Sequence, residues 1–420
     1  MARLNRWLTS MLLSVPLFLR STMMPVYDDA PLALDGTCLP VLIFSHGLVG
    51  SMNTHSAILG ELASHGVFCV ALEHRDRSGA LSLVRNGEAE SLSTAPTEMS
   101  SVYYKSISLR IRPGVLEERD KQLQIRIFEL MALYRALELL NEGETLKNLA
   151  SSTAGNLSMP KGSLNLQPGS IIWGGHSFGG TTIIQLLKSV YYEGQCDLKQ
   201  DSADISLLLQ QPPPSLVAQI TPLSPVALLD PWFMPLKSSS TKGLLCKPLP
   251  CHYATIGPHL ESPSTAIVMS MEFAYHWPEC HSHMPAIISP DPSSVRVQTQ
   301  EEYETEFKKF TSPRDFMNKS KKARAATASQ QQRDVTKDLL EKDGGEHQVS
   351  PIASYVLHDT THVTHSDFGL LFQWVTWWVT GQKNPELAVQ NTARCILAAA
   401  GLPLTEIDSD EARAQLERLS

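Results

Sequence analysis

One stretch, Ser170-Ile171-Ile172-Trp173-Gly174-Gly175-His176-Ser177-Phe178-Gly179-Gly180-Thr181-Thr182, does most to limit what this chain can fold into. An apolar run ends in Gly-x-Ser-x-Gly, and a helix-compatible run, Ile183-Ile184-Gln185-Leu186-Leu187, follows. Buried strand, sharp turn, helix is the order of a nucleophile elbow. Ser177 sits at the strained turn, and Gly175 and Gly179 on either side let the strand and the helix approach. With Gly and Ser each near ~7% of residues, a chain of this length shows roughly 0.1 such triplets by chance.

The rest of the chain supplies a setting for that turn. Leu39 to Ser45 is a short apolar run bounded by turn residues, which predicts a buried strand, and it ends in Ser45-His46-Gly47-Leu48-Val49-Gly50. Asn53 to Ser64 has helical spacing, with Ile58, Leu59 and Leu62 on one face. Val67 to Leu72 predicts a second buried strand, ending in Glu73-His74-Arg75-Asp76-Arg77-Ser78. This alternation predicts a parallel sheet with helices on its faces. Residues 79–101 are polar and predict a surface loop. Glu117 to Asn141 predicts the longest helix, its stripe of Leu123, Ile127, Leu130, Met131, Tyr134, Leu137 and Leu140 being core packing. Further strands are expected at Pro225–Trp232, stopping at Asp230, at Thr265–Phe273 and at Ser354–Leu357. Residues 194–224 and 237–263 read as irregular, and 308–350 as a charged insertion. Phe368 to Thr380 predicts an aromatic helix whose Trp374, Trp377 and Trp378 are assigned to core packing rather than membrane contact.

Composition excludes little but is consistent. The 420 residues are 42% hydrophobic and carry a net charge of −8, so there is no basic footprint for a nucleic acid. Seven cysteines are too few and odd in number for a disulfide framework. Cys246, Cys251-His252 and Cys280-His281-Ser282-His283 fit no standard zinc spacing, and no metal or cofactor is expected.

A serine hydroxyl is a weak nucleophile without a base in hydrogen-bond reach and a third group to orient that base. On a strand–elbow–helix scaffold the acid follows the serine at a strand end and the histidine comes last. Asp230 meets the first condition. His358, His362 and His365 all meet the second, and spacing does not choose among them. The oxyanion donors should be the N–H of Phe178, next after the nucleophile, and an N–H of the His46-Gly47-Leu48 loop, which puts Leu48 forward. His46, His74 and His176 read as polar or packing groups.

Several segments carry a family resemblance: Phe44-Ser45-His46-Gly47-Leu48, Leu62-Ala63-Ser64-His65-Gly66, Glu73-His74-Arg75-Asp76-Arg77-Ser78, Gly175-His176-Ser177-Phe178-Gly179-Gly180 and Leu229-Asp230-Pro231-Trp232. Together they resemble the platelet-activating factor acetylhydrolase family, with a microbial or fungal look. The resemblance implies an α/β-hydrolase fold, a mainly parallel sheet flanked by helices. It implies calcium-independent hydrolysis of the sn-2 acetyl or short, oxidised acyl ester of phospholipids. It puts the nucleophile on Ser177 and the acid on Asp230. The family's histidine stands five residues before an Asp-Phe pair, here Asp367-Phe368, which selects His362 and leaves His358 and His365 as bystanders. Leu48 and Phe178 are the implied oxyanion donors.

The expected organisation is an amphipathic, lipid-facing segment over 1–38, a hydrolase domain over 39–400 with insertions at 194–222, 237–260 and 308–350, and an acidic tail over 401–420. The family carries more sheet upstream of the Leu39 strand, so the first strands are expected to be missing. The expected partner is a phospholipid, with peripheral contact to a membrane or lipoprotein surface, and the expected place cytoplasmic or peripheral, with secretion the alternative. Two other functions fit the same sequence: a general carboxylesterase or acyltransferase, and an inactive lipid-surface protein.

Overall fold

The computed structural model describes residues 38–85, 99–148, 156–193, 207–254, 263–277, 283–296, 350–403 and 416–419, with the single positions 30 and 36. The expected lipid-facing segment before residue 38 lies almost wholly outside the described residues, as do 194–206 and 308–349. Among the described residues there are nine strands: β1 (Val41–Ser45), β2 (Phe68–Leu72), β3 (Leu81–Arg85), β4 (Met99–Tyr103), β5 (Ile172–His176), β6 (Val226–Leu229), β7 (Thr265–Ser270), β8 (Ile352–Leu357) and β9 (Leu416–Leu419). The helices are α1 (Ser56–Ser64), α2 (Val115–Asn141), α3 (Phe178–Glu193), α4 (Pro214–Gln219), α5 (Lys242–Leu245), α6 (Met271–His276), α7 (Met284–Ile288), α8 (Phe368–Leu371), α9 (Gln373–Thr380) and α10 (Pro385–Ala399).

Seven strands form one sheet in the order β2-β1-β5-β6-β7-β8-β9. Every pairing from β2 to β8 is parallel, and β9 alone is antiparallel. The sheet has a core on each face. Val41, Ile43, Trp173, Leu228 and Ile267 point to one side, where Leu123, Ile127 and Leu130 of α2 and Ile183 and Ile184 of α3 cover them. Leu42, Phe44, Ile172, Leu229 and Val268 point to the other, under Ile58 and Leu62 of α1 and Ile396 and Leu397 of α10. The near-continuous apolar runs of β1, β5 and β6 follow from burial on both faces. This is the α/β-hydrolase architecture. β2 is the sheet edge among the described residues, and its residues are only half-buried.

Several readings are corrected. The polar stretch 79–101 is not all loop, because β3 and β4 pair as an antiparallel ribbon. The stretch 237–263 holds α5 and a 3-10 turn at Pro250–Tyr253, with Leu244, Leu249 and Cys251 buried. The stretch 194–224 holds α4. The aromatic helix is two helices, broken at Phe372, where the backbone leaves helical angles. Its tryptophans are not in the core: Trp374 is 73% exposed, Trp377 53% and Trp378 57%. The segment read as a tail ends in β9, which adds to the sheet beside β8. No helix among the described residues is long and apolar enough to cross a membrane.

Candidate active site

The site lies where the parallel strands end, because there the chain must turn out of the sheet and loops from successive strands meet. Five of the six non-glycine residues with positive φ lie in loops after such strands: Val49, Arg77, Ser177, Asp230 and Asp359. Backbone strain of this kind persists only where the surroundings impose it.

Ser177, at φ 54°, is the turn between β5 and α3. Its N–H donates to Leu229 O at 2.9 Å and its carbonyl accepts from Trp232 N–H at 3.0 Å, so the elbow is fastened to the end of β6. A Cβ on Gly175 would stand 2.5 Å from the Gly179 carbonyl, and one on Gly179 would fall onto the Ser45 carbonyl oxygen. Both elbow glycines are therefore required by close approach, the second to β1 rather than to the turn itself. A Cβ on Gly47 would meet the Ser177 Cβ at 3.0 Å, so the His46-Gly47-Leu48 loop runs against the serine. The Phe178 N–H is the first of α3 and has no intrahelical acceptor, and neither it nor the Leu48 N–H donates to a backbone carbonyl elsewhere in the described fold. The helix N-terminus adds its positive end to the same spot.

Asp230 is wholly buried one residue beyond β6. It accepts from the N–H and the hydroxyl of Ser270, both at 2.6 Å, and from His362 Nδ1–H at 3.0 Å. With the carboxylate ionised, Nδ1 must carry the proton, which leaves His362 Nε2 as an acceptor. Burial alone would raise the Asp230 pKa, but His365 and His362 outweigh it and hold the carboxyl below the usual range. The His362 ring is a fifth exposed and lies 4.5 Å, centroid to centroid, from His176 and 4.8 Å from Trp277. Its backbone N–H donates to Glu272 Oε2 at 2.9 Å.

Of the three candidate histidines, the one selected by resemblance is thus hydrogen-bonded to the acid. His365 is no bystander. It is buried, and its Nε2 stands 3.5 Å from Asp230 Oδ1, an electrostatic contact too long for a good hydrogen bond. The cause is the 3-10 turn His362–His365, in which residues three apart eclipse and face the same side. Asp367, which marks the register of His362, has a part of its own. Its two carboxylate oxygens accept the N–H groups of Ser56 and Ala57 at 2.9 Å, capping α1 and tying the histidine loop to it. One donor atom each of His176, Asp230 and His362 lies within 4.8 Å of the other two.

Sequence reasoning missed Ser270 and the buried groups beneath the loop at residues 45–48. Arg126 of α2, inside the apolar stripe, is fully buried with Asp76, and its Nε donates to Asp76 Oδ2 at 2.7 Å. The same guanidinium donates to His46 O at 2.8 Å and Ser78 Oγ at 2.5 Å, and lies 4.6 Å from the Phe178 ring centroid. It therefore joins the Glu73–Ser78 segment to the loop at residues 46–48, through the His46 carbonyl, and to the Phe178 side chain. His74 bridges Ser45 Oγ and Glu129, each at 2.8 Å, and burial pushes the Glu129 carboxyl up to about 7. His46 is held neutral, its pKa pulled to about 3 by burial and by Arg126. The polar spacing on α2, with Gln122 and Arg126 one turn apart, was the available signal for this network.

Comparison with known proteins gives this geometry a family. A platelet-activating factor acetylhydrolase from Cavia porcellus is 37% identical over 167 residues, 40% of this chain and 36% of that protein. A putative phospholipase A2 from Schizosaccharomyces pombe is 35% identical over 153 residues, 34% of each chain. A platelet-activating factor acetylhydrolase from Gallus gallus is 32% identical over 158 residues, 36% of each. The matched stretch spans about a third of the length of these relatives. A solved ferulic acid esterase from Streptomyces cinnamoneus aligns with 92% of this chain and 75% of its own, at 14% identity and a TM-score of 0.37, too slight a likeness to bear on the chemistry. The sequence profile of platelet-activating factor acetylhydrolase, isoform II, matches residues 1–244, more than half of the chain and including the elbow and Asp230. The chain belongs to the platelet-activating factor acetylhydrolase isoform II family.

Proposed function

We propose that the chain is a serine hydrolase of phospholipid esters, cleaving the sn-2 acetyl or short, oxidised acyl group without calcium and through an acyl-enzyme. The observation that carries the reading is the 3.0 Å bond from His362 to the buried, ionised Asp230, at strand ends next to the strained Ser177. Ser177 Oγ attacks the ester carbonyl as His362 Nε2 takes its proton, and Asp230 stabilises the imidazolium that forms. The N–H groups of Leu48 and Phe178 receive the developing oxyanion, each such donor lowering the barrier by about 2.7–4 kcal/mol. His362 then protonates the leaving alcohol oxygen of the lysophospholipid. Water, deprotonated by His362, releases the acyl group and restores Ser177.

A lipid surface is part of the proposal. Trp374, Trp377 and Trp378 of α9, with Phe368 of α8, expose aromatic area in the segment that follows the His362 loop. Tryptophan suits the boundary of water and lipid, being apolar in its body and polar at its N–H.

The test compares turnover of a short-chain phosphatidylcholine with that of a soluble aryl ester. Hydrolysis of the phospholipid at the sn-2 position, unaffected by a calcium chelator, is expected. Turnover of the aryl ester alone would make the chain a general carboxylesterase and end the phospholipid reading.

A further inference from the structure

Four imidazole nitrogens near Asp230 are buried without a hydrogen-bond partner among the described residues: His55 Nε2, His176 Nε2 and both nitrogens of His365. Buried polar atoms are nearly always satisfied, so a cluster of this kind in one place calls for a reason. Packing does not supply it, because a phenyl ring would fill the same volume at no polar cost.

The spacing of the rings is informative. A tetrahedral zinc with Zn–N bonds near 2.0–2.1 Å puts two donor atoms about 3.3 Å apart and two imidazole centroids about 5 Å apart. His176 lies 4.5 Å from His362, 5.1 Å from His55 and 5.7 Å from His365, centroid to centroid. The His365–Asp230 separation of 3.5 Å is poor for a hydrogen bond but is that of two atoms sharing one ion. The donor atoms of His176, Asp230 and His362 stand within 4.8 Å, so side-chain rotation of about an ångström brings them onto one ion. The donors agree as well. Asp230 supplies a carboxylate donor, and His176 Nε2 is buried with no hydrogen-bond partner among the described residues. Entry is from the exposed side of the His362 ring.

We propose that His176, Asp230 and His362 form an inhibitory site for a divalent transition metal of the zinc class, with His365 as the neighbouring fourth donor. Imidazole and carboxylate donors suit zinc, copper or nickel, whereas calcium and magnesium prefer oxygen alone. The ion takes the place of the Nδ1 proton of His362, which passes through solvent to Nε2, and interrupts the direct Asp230 contact. Nε2 then no longer has a lone pair for the Ser177 proton. His362 then has neither its orienting partner nor the freedom to become imidazolium, and Ser177 loses its base. No bond to substrate and no change of oxidation state is involved. The inhibition rests on the hydrolase reading above, whereas metal binding does not.

The experiment uses the full chain freed of metal with a chelator. Zinc bound per chain is measured by equilibrium dialysis with elemental analysis, and Ser177 reactivity by fluorophosphonate labelling. One zinc per chain and labelling slowed at least tenfold are expected. Chelator should restore the rate, and millimolar calcium or magnesium should leave it unchanged. His176→Gln, with labelling measured relative to its own rate in metal-free buffer, should need at least tenfold more zinc for the same fractional inhibition. Should that variant fold poorly, His362→Ala, read by zinc stoichiometry alone, must lose the bound ion. No zinc bound overturns the proposal. So does zinc bound with labelling unaffected, which would assign the ion to an exposed thiol such as Cys38 or Cys246. Equal zinc sensitivity in His176→Gln also overturns it. If Ser177 does not label even without metal, the hydrolase reading fails, and the stoichiometries of the wild type and the two variants still decide the site.

Discussion

At the residue scale, the three histidines that follow β8 differ by what they touch. His362 bonds to Asp230 Oδ2, His365 stands against Oδ1, and His358 is buried just beyond the end of β8. Single substitution by Ala, read by fluorophosphonate labelling, should therefore give three outcomes. His362→Ala abolishes acylation, a loss of at least about 10³-fold. His365→Ala slows it by about tenfold, the value of ~1.4 kcal/mol for one electrostatic contact. His358→Ala leaves the rate within about twofold. A His365→Ala loss equal to that of His362→Ala would reassign the base. The elbow, the acid and a shortlist of three were legible in the chain, because strand–turn–helix order is local. The choice within the shortlist came from resemblance and the contact with the acid from the fold, since His362 and Asp230 are 132 residues apart.

At the element scale, α2 does two jobs. Its apolar stripe packs on the sheet, as its periodicity predicts. Its buried Arg126 meets Asp76 where neither touches water. Removing one partner of a buried pair leaves the other charged and unpaired, at a cost of about 3–5 kcal/mol. Arg126→Met should lower the urea midpoint accordingly, and adding Asp76→Asn should recover part of the loss. If the single variant is as stable as the wild type, the pair does not hold the segment at residues 73–78. Helix α3 holds a second buried ionisable group. Lys188 Nζ donates to the carbonyls of Leu244 and Lys247, capping α5, and burial lowers its pKa to about 7. In the unfolded chain a lysine titrates near ~10.4, so between there and about 7 the unfolded state binds the extra proton. Stability therefore falls as the pH drops through that window, by up to about 1.4 kcal/mol per unit, and levels off below 7. Denaturant midpoints at pH 9 and pH 7 should show this slope in the wild type and not in Lys188→Met.

At the scale of the whole molecule, the parallel sheet brings the ends of β1, β2, β5, β6 and β8 to one edge, where the site forms. Helix α9 follows the histidine loop and exposes its aromatic face. If that face meets lipid, replacing Trp374, Trp377 and Trp378 together by Ala should weaken association with phosphatidylcholine vesicles at least about tenfold, since each large side chain buried in lipid contributes ~1.5–3 kcal/mol. Turnover of a soluble aryl ester should persist. Unchanged vesicle sedimentation would remove α9 from the lipid contact.

The amino-acid sequence by itself determined the buried strands and the strand–turn–helix at Ser177. Each depends on residues within a few positions of one another, through side-chain period and backbone sterics. Only the tertiary structure decided which groups surround Asp230, that Arg126 sits between the His46 carbonyl and the Phe178 ring, and that the tryptophans face outward. Those outcomes depend on what lies across the sheet from a residue, and burial on a helix face looks the same in sequence whether the neighbour is a core, a carboxylate or a lipid.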